Sequence, residues 1–456
     1  MNFQLNGWAR GAFIMAWLFG FACDLKAEVS VPAFFSDHMM LQAGAPAPVW
    51  GRADPGEEVT VAFSGRTRSA KANAAGEWKV IFDDLVSGES GTLTIKATNT
   101  LTIRDVLVGE VWLASGQSNM HLNLAQMQRA PGVSEALASS ADPWVRQFTV
   151  VRDPKSNPVK GVTGFWRLAS RESLISDRLN GDSAVAYFFS RELRRRLDRP
   201  VGVLHASIGA TPIETWSKGG EGFERMVRPM APFGIRGFLW YQGESNVHRF
   251  TGSRYAGMLA DNVALWRTTW GLGEIPFLFV QVAPYRYSAK AAAPRLKAVP
   301  RSGMAVIHDV ITDLDNIHPE NKRVPGERLA LLAASLAYGD GSIVSAGPMF
   351  ESVRAEGDCL RIRFTSVGSG LASRDGAPLD WFEVAGEDRK FVQALVTLEK
   401  DSVVVRSPLV IKPVAVRFAW HETARPNLMN KEGLPAAPFR SDAWPMQDPR
   451  ASDHDR

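Results

Sequence analysis

Two cysteines in 456 residues are too few to build a disulfide scaffold. Cys23 falls within an N-terminal segment that reads as cleavable, which leaves Cys359 with no partner. Stability must then come from core packing, and a chain of this length buries enough apolar surface for that. Zinc-finger spacing and basic arms are also missing. Formal charge is +4, with both signs interspersed, and the one dense basic run, Arg191 to Arg199, reads as the solvated face of a helix. Nucleic acid is therefore not expected as a partner. No histidine cluster has metal-ligand spacing to argue for a metal, and no metal or organic cofactor is expected. The apolar run Gly11 to Ala22 is too short for a comfortable membrane span. With Arg10 before it and Leu25-Lys26-Ala27 after it, residues 1–27 read as a secretory signal, so the mature protein is expected in the periplasm or outside the cell with no transmembrane span. Lipidation at Cys23 is the weaker alternative, because Gly20-Phe21-Ala22 fits a lipobox poorly.

What is present falls into three regions, in keeping with a prior of about 150 residues per domain. Residues 28–105 carry short alternating segments, among them Pro48-Val49-Trp50, Glu58 to Phe63, Trp78 to Phe82 and Thr92 to Ile95, divided by Asp54-Pro55-Gly56, Ser64-Gly65 and Ala75-Gly76. Such spacing predicts a β-sandwich. Residues 106–340 alternate apolar runs (Val106 to Ala114, Pro200 to Ile208, Ile235 to Tyr241, Pro276 to Ala283, Met304 to Val310) with helical periods at Ala184 to Leu197, Tyr255 to Trp270 and Glu327 to Tyr338. Strands apolar on both faces with helices between them predict a parallel sheet in a three-layer α/β/α sandwich. Residues 341–444 return to strand patterns, Leu360 to Phe364 and Val403-Val404-Val405 among them, and 445–456 form a polar tail. Cys359 opens one of these strands and reads as a buried small hydrophobe.

In the middle region, polar clusters follow the apolar runs, and ligand sites in such folds lie beyond the carboxyl ends of the strands. Gly116-Gln117-Ser118-Asn119-Met120 follows the first run, Gly209-Ala210-Thr211 the second and Gln242-Gly243-Glu244 the third. A serine held at a strand end can act as a nucleophile if neighbouring loops supply a base and an oxyanion site, although the same pentapeptide also suits a turn and helix cap. Gly243-Glu244-Ser245-Asn246 repeats the Gly-x-Ser-Asn form, so Ser245 competes with Ser118. Neither is a Gly-x-Ser-x-Gly elbow, because Met120 and Val247 occupy the last position. Among the histidines, His318 alone has an aspartate three residues before it, in Asp315-Asn316-Ile317-His318-Pro319. A carboxylate so placed can orient an imidazole as general base, while the blander reading is a capping Asp beside a surface His.

Several long blocks in order resemble the sialate O-acetylesterase family of the SGNH-hydrolase superfamily. They are Leu41-Gln42 with Trp50-Gly51, Gly109-Glu110-Val111-Trp112, Ser115 to Met120, Trp240 to Asn246, Ile317-His318-Pro319 and Asn430 to Pro435. The resemblance covers nearly everything after the signal. It implies an SGNH-type α/β/α catalytic region flanked by β-rich regions, and removal of O-acetyl groups from sialic acids or, in the same reaction class, from a plant polysaccharide such as xylan. A carbohydrate-binding protein with a dead site is the reading from a different class. The implied nucleophile is Ser118, with His318 as base and Asp315 as orienting acid; the implied oxyanion donors are the amides of Ser118 and Gly209 and the side chain of Gln242. Two positions depart from the family pattern. Ala210 replaces the second glycine of Gly-Gly-Thr, where a positive φ would cost an alanine about 1 kcal/mol or more, and Asp313 sits two residues before Asp315 as a rival acid.

Overall fold

A strand that is apolar on both faces must be covered on both, and Thr100–Gly116 shows where the covers lie. The computed structural model describes residues 28–127, 130, 132–151, 161–176, 181–287 and 299–445; the expected signal segment with Cys23, and the tail from 446, lie outside the described residues. Six strands precede Thr100–Gly116: β1 (Met40–Gln42), β2 (Ala47–Arg52), β3 (Glu58–Phe63), β4 (Arg66–Lys71), β5 (Glu77–Phe82) and β6 (Ser90–Lys96), which makes Thr100–Gly116 β7. The main sheet continues with β8 (Asp142–Val151), β9 (Thr163–Ala169), β10 (Val201–Ser207), β11 (Gly237–Tyr241), β12 (Phe277–Val280) and β13 (Ser302–Ala305). Its order is β13-β12-β11-β7-β10-β8-β9. Neighbours pair in parallel throughout, except that β9 closes the edge antiparallel to β8.

Among the described residues the helices of this region are α1 (Ser118–His121), α2 (Val133–Ala138), α3 (Arg171–Leu174), α4 (Ala184–Leu197), α5 (Glu244–His248), α6 (Tyr255–Trp270) and α7 (Arg323–Tyr338). One face is covered by α4 and α7, whose Val185, Phe189, Leu329 and Ala333 pack with Trp112 and Ala114 of β7 and Leu239 of β11. The other is covered by α6, where Tyr255, Leu259, Val263, Trp266 and Trp270, spaced three or four apart, form a stripe in one core with Leu113, Phe238 and Phe277. The three-layer α/β architecture expected from the patterning is therefore present. α4 begins where the Ser183 hydroxyl accepts from the Ala186 amide at 3.1 Å. α7 starts at Arg323, four residues before its predicted beginning, because Pro325 still lies in the first turn, where a missing N–H costs nothing. The predicted run Met304 to Val310 is a strand only to Ala305 and turns into a short 3-10 helix at His308–Val310.

The 17 residues of β7 serve two layers. Its first half pairs antiparallel with β6 (Ser90↔Leu107 to Lys96↔Thr100) and parallel with β1 (Met40↔Leu107 to Gln42↔Gly109); its second half, Glu110 onward, pairs with β10 and β11. The change of composition expected to end a domain at residue 105 thus falls inside one strand, and a single apolar core runs from Val29 through to Phe279. At this junction Glu110 is fully buried and accepts from Arg199, Arg236, Gln42 and Tyr338 at 2.9–3.1 Å.

The C-terminal region has its own core around Ile362, Val384, Val403 and Phe418. Its strands are β14 (Met349–Glu356), β15 (Cys359–Thr365), β16 (Leu371–Ser373), β17 (Phe382–Ala385), β18 (Val392–Gln393), β19 (Leu395–Glu399), β20 (Ser402–Arg406), β21 (Ala415–Phe418), β22 (Leu428–Asn430) and β23 (Phe439–Arg440). They pair as β14-β15-β20-β19, β18-β17-β21-β23 and β16-β22. Cys359 is half-buried, its thiol donating to the Glu356 carbonyl at 3.0 Å. This region grips the segment that leads to His318: the Glu422 carbonyl accepts from Tyr285 N at 3.0 Å, His308 Nε2 meets the Ala436 carbonyl at 3.0 Å, and Arg425 reaches the Ile311 carbonyl at 3.4 Å. No helix among the described residues is long and apolar enough to cross a membrane.

Candidate active site

In the main sheet the chain moves to one side of β7 with β10 and to the other with β11, so the crevice beyond the carboxyl end of β7 is a topological switch point. The loops after β7, β10 and β11 meet there. Gly116 ends β7 at φ +141°, and a Cβ on it would stand 2.1 Å from the Tyr241 carbonyl oxygen, so only glycine lets β7 and β11 approach this closely before the turn. The Gln117 amide then bonds to that carbonyl at 3.0 Å, and Ser118 opens α1 half-buried, with its hydroxyl free of the strand ladder.

His318 arrives from a loop after the sheet. Its amide is fixed on Asn316 Oδ1 at 2.9 Å, and its Nε2 stands 2.9 Å from Ser118 Oγ across 200 positions of sequence. Burial, and then the positive charge of Lys322, hold the imidazole below the ordinary histidine range, which favours the neutral form able to accept a proton. The two competing serines are separated by this contact: it is Ser118 that faces the imidazole, while the Ser245 amide is tied to Gln117 Oε1 at 3.2 Å.

The remaining predicted residues are placed as follows. Asp315 is exposed and its carboxylate accepts from Arg286 Nη1 at 2.5 Å; Asp313 accepts from the Asp315 amide at 2.8 Å. Among the described hydrogen bonds neither carboxylate reaches His318. Gly209 is exposed beside the nucleophile, where a methyl on it would lie 3.8 Å from Ser118 Cβ. Ala210 does take the left-handed conformation at φ +58°. Gln242 is buried, with Nε2 within 2.9–3.1 Å of Gln117 Oε1, the Thr211 carbonyl and Asn246 Oδ1, and with Oε1 accepting from the Tyr255 hydroxyl at 2.7 Å. Its two N–H groups already serve the loops that surround Ser118, so it fixes their spacing, and donating to an oxyanion would mean exchanging one of these acceptors.

A second set of polar residues lies beneath the nucleophile. Asn119 Nδ2 donates to Glu244 Oε1 at 2.5 Å and to the Ile317 carbonyl at 3.1 Å, while its Oδ1 accepts from Lys322 Nζ at 2.5 Å. Asn119, Glu244 and Lys322 are all buried, at 0–1% exposure. Burial pulls the Lys322 ammonium down to about 7 against the opposing charge of Glu244, and pushes the Glu244 carboxyl up. Each of the three sits in a block or beside a motif noted in the sequence, but no spacing connects residues 119, 244 and 322, so their convergence was not legible there. Among the described residues, no group of three or more His, Cys, Asp or Glu side chains could hold a metal ion.

A hydroxyl facing an imidazole at the carboxyl edge of a parallel sheet is an arrangement suited to acyl transfer, and comparison with known proteins gives its class as a carboxylic ester hydrolase. Residues 108–331 match the family described as carbohydrate esterase, sialic acid-specific acetylesterase. Sialate O-acetylesterase of Homo sapiens is 27% identical over 390 residues, covering 70% of this chain and 73% of that one. Its counterpart in Rattus norvegicus is 27% identical over 484 residues, covering 85% and 89%. A crystal structure of a carbohydrate acetylesterase from Xanthomonas citri is 34% identical, with a TM-score of 0.83 over 91% of this chain and 100% of that chain. The chain belongs to this carbohydrate esterase family.

Proposed function

We propose that the enzyme removes O-acetyl groups from sialic acids through an acyl-enzyme formed on Ser118. The observation that carries the mechanism is the 2.9 Å approach of His318 Nε2 to Ser118 Oγ. Ser118 attacks the acetyl carbonyl as His318 takes its proton; the imidazolium then protonates the departing sugar oxygen, which leaves as the free hydroxyl, and a water activated by His318 releases acetate from the acyl-enzyme and frees Ser118. The amides of Ser118 and Gly209, with Gln242, are assigned to the oxyanion, and Asp315, on the same loop as the base, to orienting it. Sialic acid as the substrate is supported by the matching family description and by the curated relatives. Residues 1–27 support export to the periplasm or beyond, where such sugars would be met.

The test uses purified protein lacking residues 1–27. Acetate release should be faster, as kcat/KM, from 9-O-acetylated sialic acid than from acetylated xylo-oligosaccharides, and Ser118→Ala should lose both activities while keeping its fold. A preference for the xylan fragments overturns the substrate and leaves the mechanism standing. A dead Ser245→Ala beside an active Ser118→Ala overturns the mechanism.

A further inference from the structure

Three loops must keep their spacing for the proposed reaction to run, and they come from the ends of β7 and β11 and from the segment before α7. Asn119 is bonded to all three. Being the residue after Ser118, it belongs to the first loop; it donates to Glu244 on the second; it donates to the carbonyl of Ile317, the residue before His318, and accepts from Lys322 on the third. Lys322 is four residues past His318 and is itself buried. A buried ammonium is expensive unless it is bonded and faces opposite charge. Here a single side-chain amide joins it to a carboxylate, and any slip of the His318 loop would break both of the bonds that loop makes to Asn119.

We propose that Lys322 is a positioning residue for the esterase reaction: bridged through Asn119 to Glu244, it locks the His318 loop onto the loop that carries Ser118 and presents its charge to the imidazole. The proposal rests on the reading of His318 as base. The groups that face Lys322 are Asn119, Glu244, the Tyr241 ring at 5.5 Å and His318. Tyr241 and Tyr287 are buried beside Glu244 and held in the phenol form. Facing His318 are Ser118 and Lys322, with Asp313, Asp315 and its partner Arg286 on the exposed side of the loop. The sign follows from these charges. Below about pH 7 Lys322 is protonated and opposes a second positive charge on His318, so the base stays neutral further into acid. Removing that ammonium lets the imidazole protonate at higher pH. Removing Glu244 does the same by a longer route, since without the carboxylate Lys322 gives up its own proton more readily.

Two variants test this, Lys322→Met and the nearly isosteric Glu244→Gln, each checked for fold by circular dichroism and thermal melting. The first readout is the pH profile of kcat and kcat/KM on an aryl acetate. Lys322→Met should lower kcat by roughly tenfold to a hundredfold with KM little changed, as expected when a reacting pair is misplaced by part of an ångström. In both variants the acid limb should move to higher pH. The second readout needs no turnover: the His318 imidazole, followed by NMR in parent and variants, should titrate at higher pH in both. If Lys322→Met fails to fold, Glu244→Gln decides. An unmoved His318 titration in a folded variant overturns the proposal whatever happens to turnover. A shifted titration in an enzyme whose activity does not depend on His318 supports the positioning and instead sinks the assignment of the base.

Discussion

An imidazole 2.9 Å from a serine hydroxyl accepts its proton only while neutral, so the direction in which the site moves that equilibrium decides the pH range of the enzyme. His318 is lowered by burial and by Lys322; the protonated form therefore accumulates only below the ordinary histidine value near 6.5, and activity should be full above it and fall as pH drops through the folded-state value. A rate profile from pH 4 to 9 checks this. A limb lying clearly above 6.5 would mean that another charge governs the base. Asp315 poses a different problem, because its carboxylate is held by Arg286 and is exposed. If it orients His318 during turnover, Asp315→Asn should cost on the order of 10⁴ in kcat, and Asp313→Asn, whose carboxylate accepts from the Asp315 backbone amide, should cost little. Comparable losses would defeat a simple triad. Ser118 and His318, which the structure brings within 2.9 Å, both lie in short motifs visible in the sequence, although those motifs alone do not separate Ser118 from Ser245. The partner of Asp315 was not visible there, since Arg286 comes from another loop and no local pattern announces it.

Among elements, the helices Ala184–Leu197 and Tyr255–Trp270 were legible to the residue, because a stripe of apolar side chains against a flat sheet leaves a 3.6-residue signature. Several strands were not, β4, β8 and β9 among them. β4 reads Arg-Thr-Arg-Ser-Ala-Lys and leaves no position fully buried, so it carries no hydrophobic period. β8 contains Pro143, Arg146 and Gln147, which interrupt its apolar run, although Arg146 is buried on the Asp105 carboxylate and carbonyl. β9 is an edge strand with one apolar face. The end of β7 makes the sharpest prediction at this scale. Gly116→Ala adds a methyl where only 2.1 Å separates it from a carbonyl oxygen, at φ +141°, a backbone region that alanine avoids. It should destabilise by at least about 2 kcal/mol in urea denaturation and should cut turnover besides, because the nucleophile turn must shift to relieve the overlap.

Across the whole molecule, the N-terminal strands and the catalytic sheet behave as one body. Glu110, fully buried, gathers Gln42 from the first, Arg199 and Arg236 from the strand starts of the second, and Tyr338 from the end of α7. Replacing it with alanine leaves these donors without their shared acceptor. Glu110→Ala should lose about 3–5 kcal/mol of stability, seen as a lower melting temperature, while the folded fraction keeps its kcat because the site lies at the opposite end of the strands. A variant as stable as the parent would mean that the cluster contributes nothing net, as some buried ion pairs do.

β7 has a further consequence for how this enzyme can be recombined. At a strand rise near 3.3 Å per residue it is a rod roughly 55 Å long with Ser118 just past its tip. A chimera joined at residue 105, where the composition invites a break, would mount the nucleophile on a foreign shaft whose lower half must still match β1 and β6 in register. Moving residues 106–340 alone should therefore cost stability, because β1 and β6 would no longer pair with the lower half of the strand that leads to Ser118.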